Sequence, residues 1–342
     1  YRHWISGEAS GMGGFVREYA SALWGEFRCA LKAWRRGGFD VIHLCNPPDL
    51  LFLVALPFKL LGAKVVYDVH DLWPEMFEAK FGKRGLLYHA VRLAERCTLA
   101  VADAVIATNE SVLSAIKRRG RKIADEVFVV RTAPNKLDVD IPRNEMLRNG
   151  RRFLVGYIGV MGNADGVDYL IRAAHHIVKD RGREDVQFLL MGSGPEHEAL
   201  TKLRDELGLT HYMDMPGRVS NEFLFTGLKT MDLGVACDPI NAYNDHCTMN
   251  KTLEYMAFGK AQVMFGTVEG RYSAGNAALY VMENSPAKLG DAILELLDDE
   301  ARRTEMGRLG RARLTEELSW ERSTQQLMRA YAHATRPASA AP

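Results

Sequence analysis

Apolar and polar positions along this chain fall into repeating blocks. A short apolar run is followed by a polar turn and then by a stretch with helical spacing. In the first half the runs Asp40-Val41-Ile42-His43-Leu44-Cys45, Lys64-Val65-Val66-Tyr67-Asp68-Val69, Ala104-Val105-Ile106-Ala107 and Val127-Phe128-Val129-Val130 read as buried strands. Phe15, Tyr19, Leu23 and Phe27 recur at i+4 between Gly11 and Trp34, which predicts a helix; the cluster Gly11-Met12-Gly13-Gly14 before it reads as a flexible helix entry or as a loop facing a phosphate or acceptor. A helix is expected up to Leu61 and another from Leu86 to Ala102, and Ser111 is placed to cap a further one. After the second strand, His70-Asp71-Leu72-Trp73-Pro74-Glu75 reads as a proline-bounded loop. Strand and helix in strict alternation predict a parallel sheet.

Lys136 to Arg152 is polar, lacks a helical period and contains Pro142, so it reads as a linker. Its Asp138-x-Asp140 doublet has the form of a metal-binding pair, but its place in a linker argues against that. Alternation then restarts. Phe153 to Ile158 is a strand, Gly159 to Gly166 a glycine-bearing loop and Val167 to Asp180 a helix. Gln187 to Met191 is a strand running into Gly192-Ser193-Gly194-Pro195; the third glycine of a dinucleotide fingerprint is missing, so this is a tight turn before a helix starting at Pro195. Tyr212 to Met215 is extended, and Ser220 caps a helix to Thr230. Glu269 to Gly275 reads as a polar loop, and Trp320 to Ala334 as an amphipathic helix before an Ala/Pro/Ser tail expected to be disordered.

The segment from Asn244 to Gly259 draws most attention. It runs from a polar loop into a short helix between two apolar runs, Asp232 to Cys237 and Ala261 to Phe265. Leu253, Met256 and Ala257 make its apolar face, and Gly259 suits a left-handed cap. Asn250, Lys251 and Glu254 therefore stand at the carboxyl end of a strand and the amino end of a helix, where such sheets bind ligands. A lysine there suits a diphosphate, and a carboxylate one turn on suits ribose hydroxyls. The alternative is an exposed i, i+3 ion pair of Lys251 with Glu254. His70 with Asp71 is the second candidate, either a reactive imidazole or a histidine bonded within its loop.

Composition narrows the field. The 342 residues suggest two domains, and the balance of 47% apolar and 25% charged residues is that of a globular protein. A net charge of +1 gives no field for nucleic acid. Five scattered cysteines form no CxxC or Cys/His cluster in sequence, which argues for a reducing cytoplasm and against a zinc site. Leu50 to Leu61 is too short to span a bilayer. The opening Tyr1-Arg2-His3-Trp4 has no strand with a glycine-rich turn, as if numbering began inside a larger protein.

Asn46-Pro47-Pro48-Asp49, Tyr67-Asp68-Val69-His70-Asp71, Ala107-Thr108-Asn109-Glu110, Gly156-Tyr157-Ile158-Gly159 and Thr248-Met249-Asn250-Lys251-x-x-Glu254-Tyr255-Met256-Ala257 occur in this order. The ordered set resembles the retaining family-4 glycosyltransferases, from about Gly11 to Ala334, in a bacterial cell-surface polysaccharide branch. The resemblance implies a GT-B α/β fold: two Rossmann-like domains facing a cleft, 1–147 on the acceptor side and 148–318 on the nucleotide-sugar side, with helix 319–335 returning to the first domain and a tail over 336–342. By the same resemblance Glu254 holds the ribose, Lys251 reaches the diphosphate and His70 faces the donor sugar. Gly217 and Arg218 line the base pocket, and Gly159, Asn109, Glu110, Thr248, Met249 and Asn250 complete the substrate contacts.

Three departures stand out. His246 occupies the place of the family's first glutamate, with Asp245 beside it as a substitute. Val160 and Asp165 fall where the family has an arginine and a lysine for phosphate. The first strands of the N-terminal domain, with their glycine-rich loop, are absent. The implied reaction moves a sugar from a nucleotide-diphosphate donor to a saccharide or lipid-linked hydroxyl with retention, without metal or cofactor, in the cytoplasm or at the inner membrane face. For the basic and apolar segments near Trp34 and Leu50 to Leu61, peripheral membrane attachment and burial of helix faces both remain open. Competing expectations are a sugar-nucleotide epimerase, a phosphorylase-like enzyme with lysine-bound pyridoxal phosphate, and a non-catalytic scaffold.

Overall fold

The computed structural model of the chain describes residues 2, 11–82, 84–120, 126–134 and 140–336. They form two units, Tyr1–Arg131 with Glu321–Pro342, and Thr132–Trp320. The described part of the expected linker is a short 3-10 turn, Glu145–Arg148, held to the second unit by Arg148 on Asp232 and by Asn144 N–H on Thr230 Oγ1. Residues 337–342 of the expected tail, and Asp138 of the acidic doublet, lie outside the described residues.

The first unit runs α1 (Gly11–Gly37), β1 (Val41–Cys45), α2 (Phe52–Leu60), β2 (Lys64–Val69), α3 (Trp73–Phe81), α4 (Leu86–Val101), β3 (Ala104–Ala107), α5 (Glu110–Gly120) and β4 (Val127–Val129). Among the described residues its four strands pair in parallel in the order β1-β2-β3-β4. The expected loop after His70 is instead helix α3, because Pro74 sits in the first turn, where a missing N–H costs nothing. The cap of α5 is Asn109 and not Ser111: the Asn109 side chain accepts from Val112 N–H at 2.8 Å. Trp34 packs against Phe39 and Phe58, while Leu60 and Leu61 are exposed at the end of α2. The chain's last helix, α13 (Trp320–Ala334), buries Ala330 and Ala334 against Val66, Ala104 and Ile106.

The second unit runs β5 (Phe153–Ile158), α6 (Val167–His175, continued by a π-helical turn to Asp180), β6 (Val186–Met191), α7 (His197–Glu206), β7 (Met213–Gly217), α8 (Asn221–Thr230), β8 (Leu233–Ala236), α9 (Asn250–Ala257), β9 (Ala261–Phe265), α10 (Val268–Ala274), β10 (Ala278–Val281), α11 (Pro286–Asp298) and α12 (Glu300–Glu316). Among the described residues its six strands are all parallel, in the order β10-β9-β8-β5-β6-β7. Helices cover both faces, so β5 and β6 are buried throughout. Ser220 caps α8 as expected, accepting from Phe223 N–H at 3.2 Å. The expected polar loop from Glu269 is helix α10, capped by Thr267, with Glu269 buried. Helix α7 begins at His197, two residues beyond Pro195.

Helix α9 lies close on β8. A Cβ on Gly234 would come within 2.6 Å of the Tyr255 ring. The Tyr255 hydroxyl donates to Val235 O at 3.0 Å and accepts from Ile158 N–H at 3.2 Å. Gly259, at φ 61°, ends the helix in the left-handed region.

Asp49 is an unusual member of the first unit's core. It is 1% exposed, hydrogen-bonded by the Tyr67 hydroxyl and, at 2.8 Å, by the Asn46 amide. Burial pushes its carboxyl up to about 7, against the pull of those two donors. An acid whose folded value is raised binds its proton more tightly folded than unfolded. Its stabilising contribution is complete below the ordinary value of 3.8 and is lost as pH rises through about 7. Asp49→Asn stays neutral and keeps an acceptor for Tyr67. Its stability relative to the parent should therefore rise between pH 4 and pH 8, read as urea midpoints at each pH. A difference that does not change with pH would show that Asp49 titrates normally.

Candidate functional site

The strand order of the second unit reverses at β5, which has β6 on one side and β8 on the other. Loops leaving β5 and β8 part there, opening the crevice in which such sheets take ligands. Three glycines bring the neighbouring loops together. A Cβ on Gly192 would fall 1.8 Å from Gly159 O, and one on Gly194 2.5 Å from Met161 O. Gly159 and Gly192 adopt φ of 143° and 154°, which only glycine takes without strain.

Lys251 projects from the first turn of α9 into this crevice, but its ammonium is not free. It is 7% exposed, and Nζ lies 2.8 and 3.1 Å from the two carboxylate oxygens of Asp238. Asp165 stands 3.7 Å away and the Tyr157 hydroxyl 3.4 Å. Burial alone would lower the lysine's pKa; Asp238, Cys237 and Asp165 outweigh it and hold the ammonium above its ordinary value. Burial raises Asp165, and Lys251 offsets only part of that. Where a lysine reaching out to a diphosphate was expected, the ammonium is engaged by two carboxylates. The exposed pair of Lys251 with Glu254 is absent for the same reason.

Glu254, one turn further on, is half-buried and has no hydrogen-bond or ion-pair partner among the described residues. Burial alone raises its carboxyl. Asn250 is exposed at the helix start, and Met249 precedes it in extended conformation without a side-chain cap. The Thr248 hydroxyl lies 3.5 Å from Glu269, which also accepts from Ser273 at 3.1 Å. Asp245 accepts from Val268 N–H at 3.0 Å, so one of its oxygens caps α10, and His246 closes the adjacent 3-10 turn half-buried. Gly217 ends β7 at φ 74°, followed by Arg218, exposed and without an ion-pair partner among the described residues.

In the first unit, strand alternation puts His43 and Cys45 of β1 on one face, and Cys45 is in register with Asp68 of β2. His70 follows two residues later. The carboxylate of Asp68 lies 3.4 Å from His43 Nε2 and 3.3 Å from His70 Nε2. That interaction first, and Cys45 second, raise His43 to about 11 and His70 to about 10. The two imidazoles lower the Cys45 thiol to about 7. The amide of Asn46 joins the two strand ends, accepting from His70 N–H and donating to Asp71 O, each at 2.7 Å. The partner of His70 is thus Asp68, not the adjacent Asp71. Asn109, expected among the substrate contacts, is fully buried as a helix cap, and Glu110 is exposed on α5.

Sequence reading missed Asp238, Asp68, His43 and Cys45. The signal for the last three is an i, i+2 pair of polar residues at the ends of two apolar strands. Asp238 follows a buried strand without a distinguishing pattern.

Residues 152–299 match the family model of glycosyl transferases group 1, and residues 4–132 match that of the glycosyl transferase 4-like domain. The chain is 31% identical over 173 residues to a GDP-mannose-dependent monoacylated alpha-(1-6)-phosphatidylinositol monomannoside mannosyltransferase of Corynebacterium glutamicum. That match spans 46% of this chain and 41% of the relative, less than half its length. It is 25% identical over 325 residues to alpha-D-kanosaminyltransferase of Streptomyces kanamyceticus, covering 88% of this chain and 79% of that protein. Sucrose-phosphate synthase from Thermosynechococcus elongatus shares the fold with a TM-score of 0.72 at 18% identity, over 92% of this chain and 77% of its own. Anabaena HepE, solved in complex with UDP-glucose, does so with a TM-score of 0.67 at 16% identity, over 94% and 84%. No helix among the described residues is long and apolar enough to cross a membrane. With two units of parallel Rossmann-like topology the chain has the fold of the GT-B glycosyltransferases, and each half is similar to a glycosyltransferase family model.

Proposed function

We propose that the second unit binds a nucleotide-diphosphate sugar and that the chain transfers its glycosyl group to a saccharide or lipid-linked hydroxyl with retention. The observation that carries this reading is Glu254. A carboxylate moved partly out of water and left without a partner loses hydration that something must restore. Two neighbouring ribose hydroxyls supply the donors it lacks, in a crevice where α/β sheets hold nucleotides. The amino end of α9 faces the same crevice and favours an anion. Arg218, at the end of β7, is placed to reach the base or its phosphate.

In this reading Lys251 has a different task from the one the resemblance implied. It neutralises Asp238 and draws on Asp165, which lessens the repulsion the two carboxylates would exert on a diphosphate, and it fixes α9 against the loops of β5 and β8. Charge developing on the departing phosphate is met by helix amides fixed in advance. The acceptor proton passes to that phosphate as the new bond forms on the face the leaving group vacates. Bacterial polysaccharide or glycolipid synthesis, at the inner face of the membrane, fits a lipid-linked acceptor.

Thermal stability of the chain with UDP, GDP and ADP, each at the same excess, tests the donor site. A ligand at about 100 times its dissociation constant adds roughly 2.7 kcal/mol. One nucleotide should raise the melting temperature, and Glu254→Gln should abolish the rise while leaving the ligand-free melting temperature within about 1 °C, since no protein contact is lost. Absence of a shift with every nucleotide would overturn the reading, and an inverted anomer in the product would overturn retention. Lys251→Met leaves Asp238 buried and unpaired, which should cost about 3–5 kcal/mol by urea unfolding. A loss below about 1 kcal/mol would show that the lysine is exposed and free after all.

A further inference from the structure

We propose that His43, Cys45 and Asp68 form a binding site for a divalent transition-metal ion of zinc's preferences. One donor atom of each, an imidazole nitrogen, the thiol sulfur and a carboxylate oxygen, all lie within 4.8 Å of one another. No other group of three such side chains converges in this way among the described residues. Bonds of about 2.0–2.3 Å to nitrogen, oxygen and sulfur in a tetrahedron set its donor atoms roughly 3.3–3.8 Å apart. The 3.4 Å between His43 Nε2 and Asp68 Oδ2 falls in that range, and donor pairs out to the 4.8 Å limit would close by about 1 Å on the ion.

The set is held from behind as metal ligands are. His43 Nδ1 is 2.7 Å from the Tyr331 hydroxyl, which fixes the ring and leaves Nε2 turned toward Cys45 and Asp68. A second partner of this kind orients most metal-binding histidines. The backbone beneath is a regular parallel ladder, with Cys45 paired to Asp68 and His43 one step before on the same face. Mixed nitrogen, sulfur and oxygen donors suit zinc and exclude magnesium or calcium, which take oxygen. Cys45 is exposed, so an ion has a path in, and three protein ligands leave one position open beside His70. An ion there would tie the ends of β1 and β2 together. The site stands whether or not the chain transfers a sugar.

The test uses the full chain, stripped with chelator and kept reduced, titrated with Co²⁺ as a spectroscopic probe. The expected result is a near-ultraviolet thiolate-to-cobalt band that saturates at one equivalent and is displaced by Zn²⁺. Cys45→Ser should remove the band, while Cys97→Ser should leave it unchanged. His43→Gln and Asp68→Asn should each weaken Zn²⁺ binding at least tenfold in competition with a chromophoric chelator. Absence of the band in the parent chain, or its survival in Cys45→Ser, would overturn the proposal. If Cys45→Ser does not fold, unchanged Zn²⁺ affinity in both His43→Gln and Asp68→Asn overturns it equally.

Discussion

A lysine taken out of water at the reversal of a parallel sheet is the constraint on which the second unit's site depends. Removing an ammonium and a carboxylate from solvent is costly, and the pair survives only if its geometry is good and its remaining valences are filled. Lys251 meets that condition by touching three elements at once: Asp238 beyond β8, Asp165 beyond β5 and the Tyr157 hydroxyl on β5 itself. The first turn of α9 is thereby pinned where the sheet opens. With the lysine so engaged, Glu254 has no cation on its own helix to pair with. The same interaction that anchors the helix leaves that carboxylate open.

Much of the fold was legible because parallel strands covered on both faces read as continuous apolar runs. Phe153 to Ile158 and Gln187 to Met191 could be placed from composition alone. Two short helices were not legible. Helix α10 spans seven residues, too few to show a period, and only its Thr267 cap distinguishes it from a loop. Helix α3 was hidden by Pro74, which marks a helix start as readily as a break.

Site residues were legible where local geometry decides their setting and obscure where distant contacts do. The position of Glu254, one turn into α9, follows from the sequence because local geometry decides it. The burial of Lys251 did not follow, since its partners lie 13 and 86 positions away. The cluster of the first unit was invisible for a related reason. His43 and Cys45 stand alone in sequence until the register of β1 on β2 brings Asp68 beside them.

The first unit is discontinuous, and this bears on how the protein is made. Val66, Ala104 and Ile106 are covered by Ala330 and Ala334, which a ribosome adds only after the whole of the second unit. At about 5–20 residues per second, the roughly 200 residues between take about 10–40 s to synthesise. Through that interval Val66, Ala104 and Ile106 lack the cover that Ala330 and Ala334 give them.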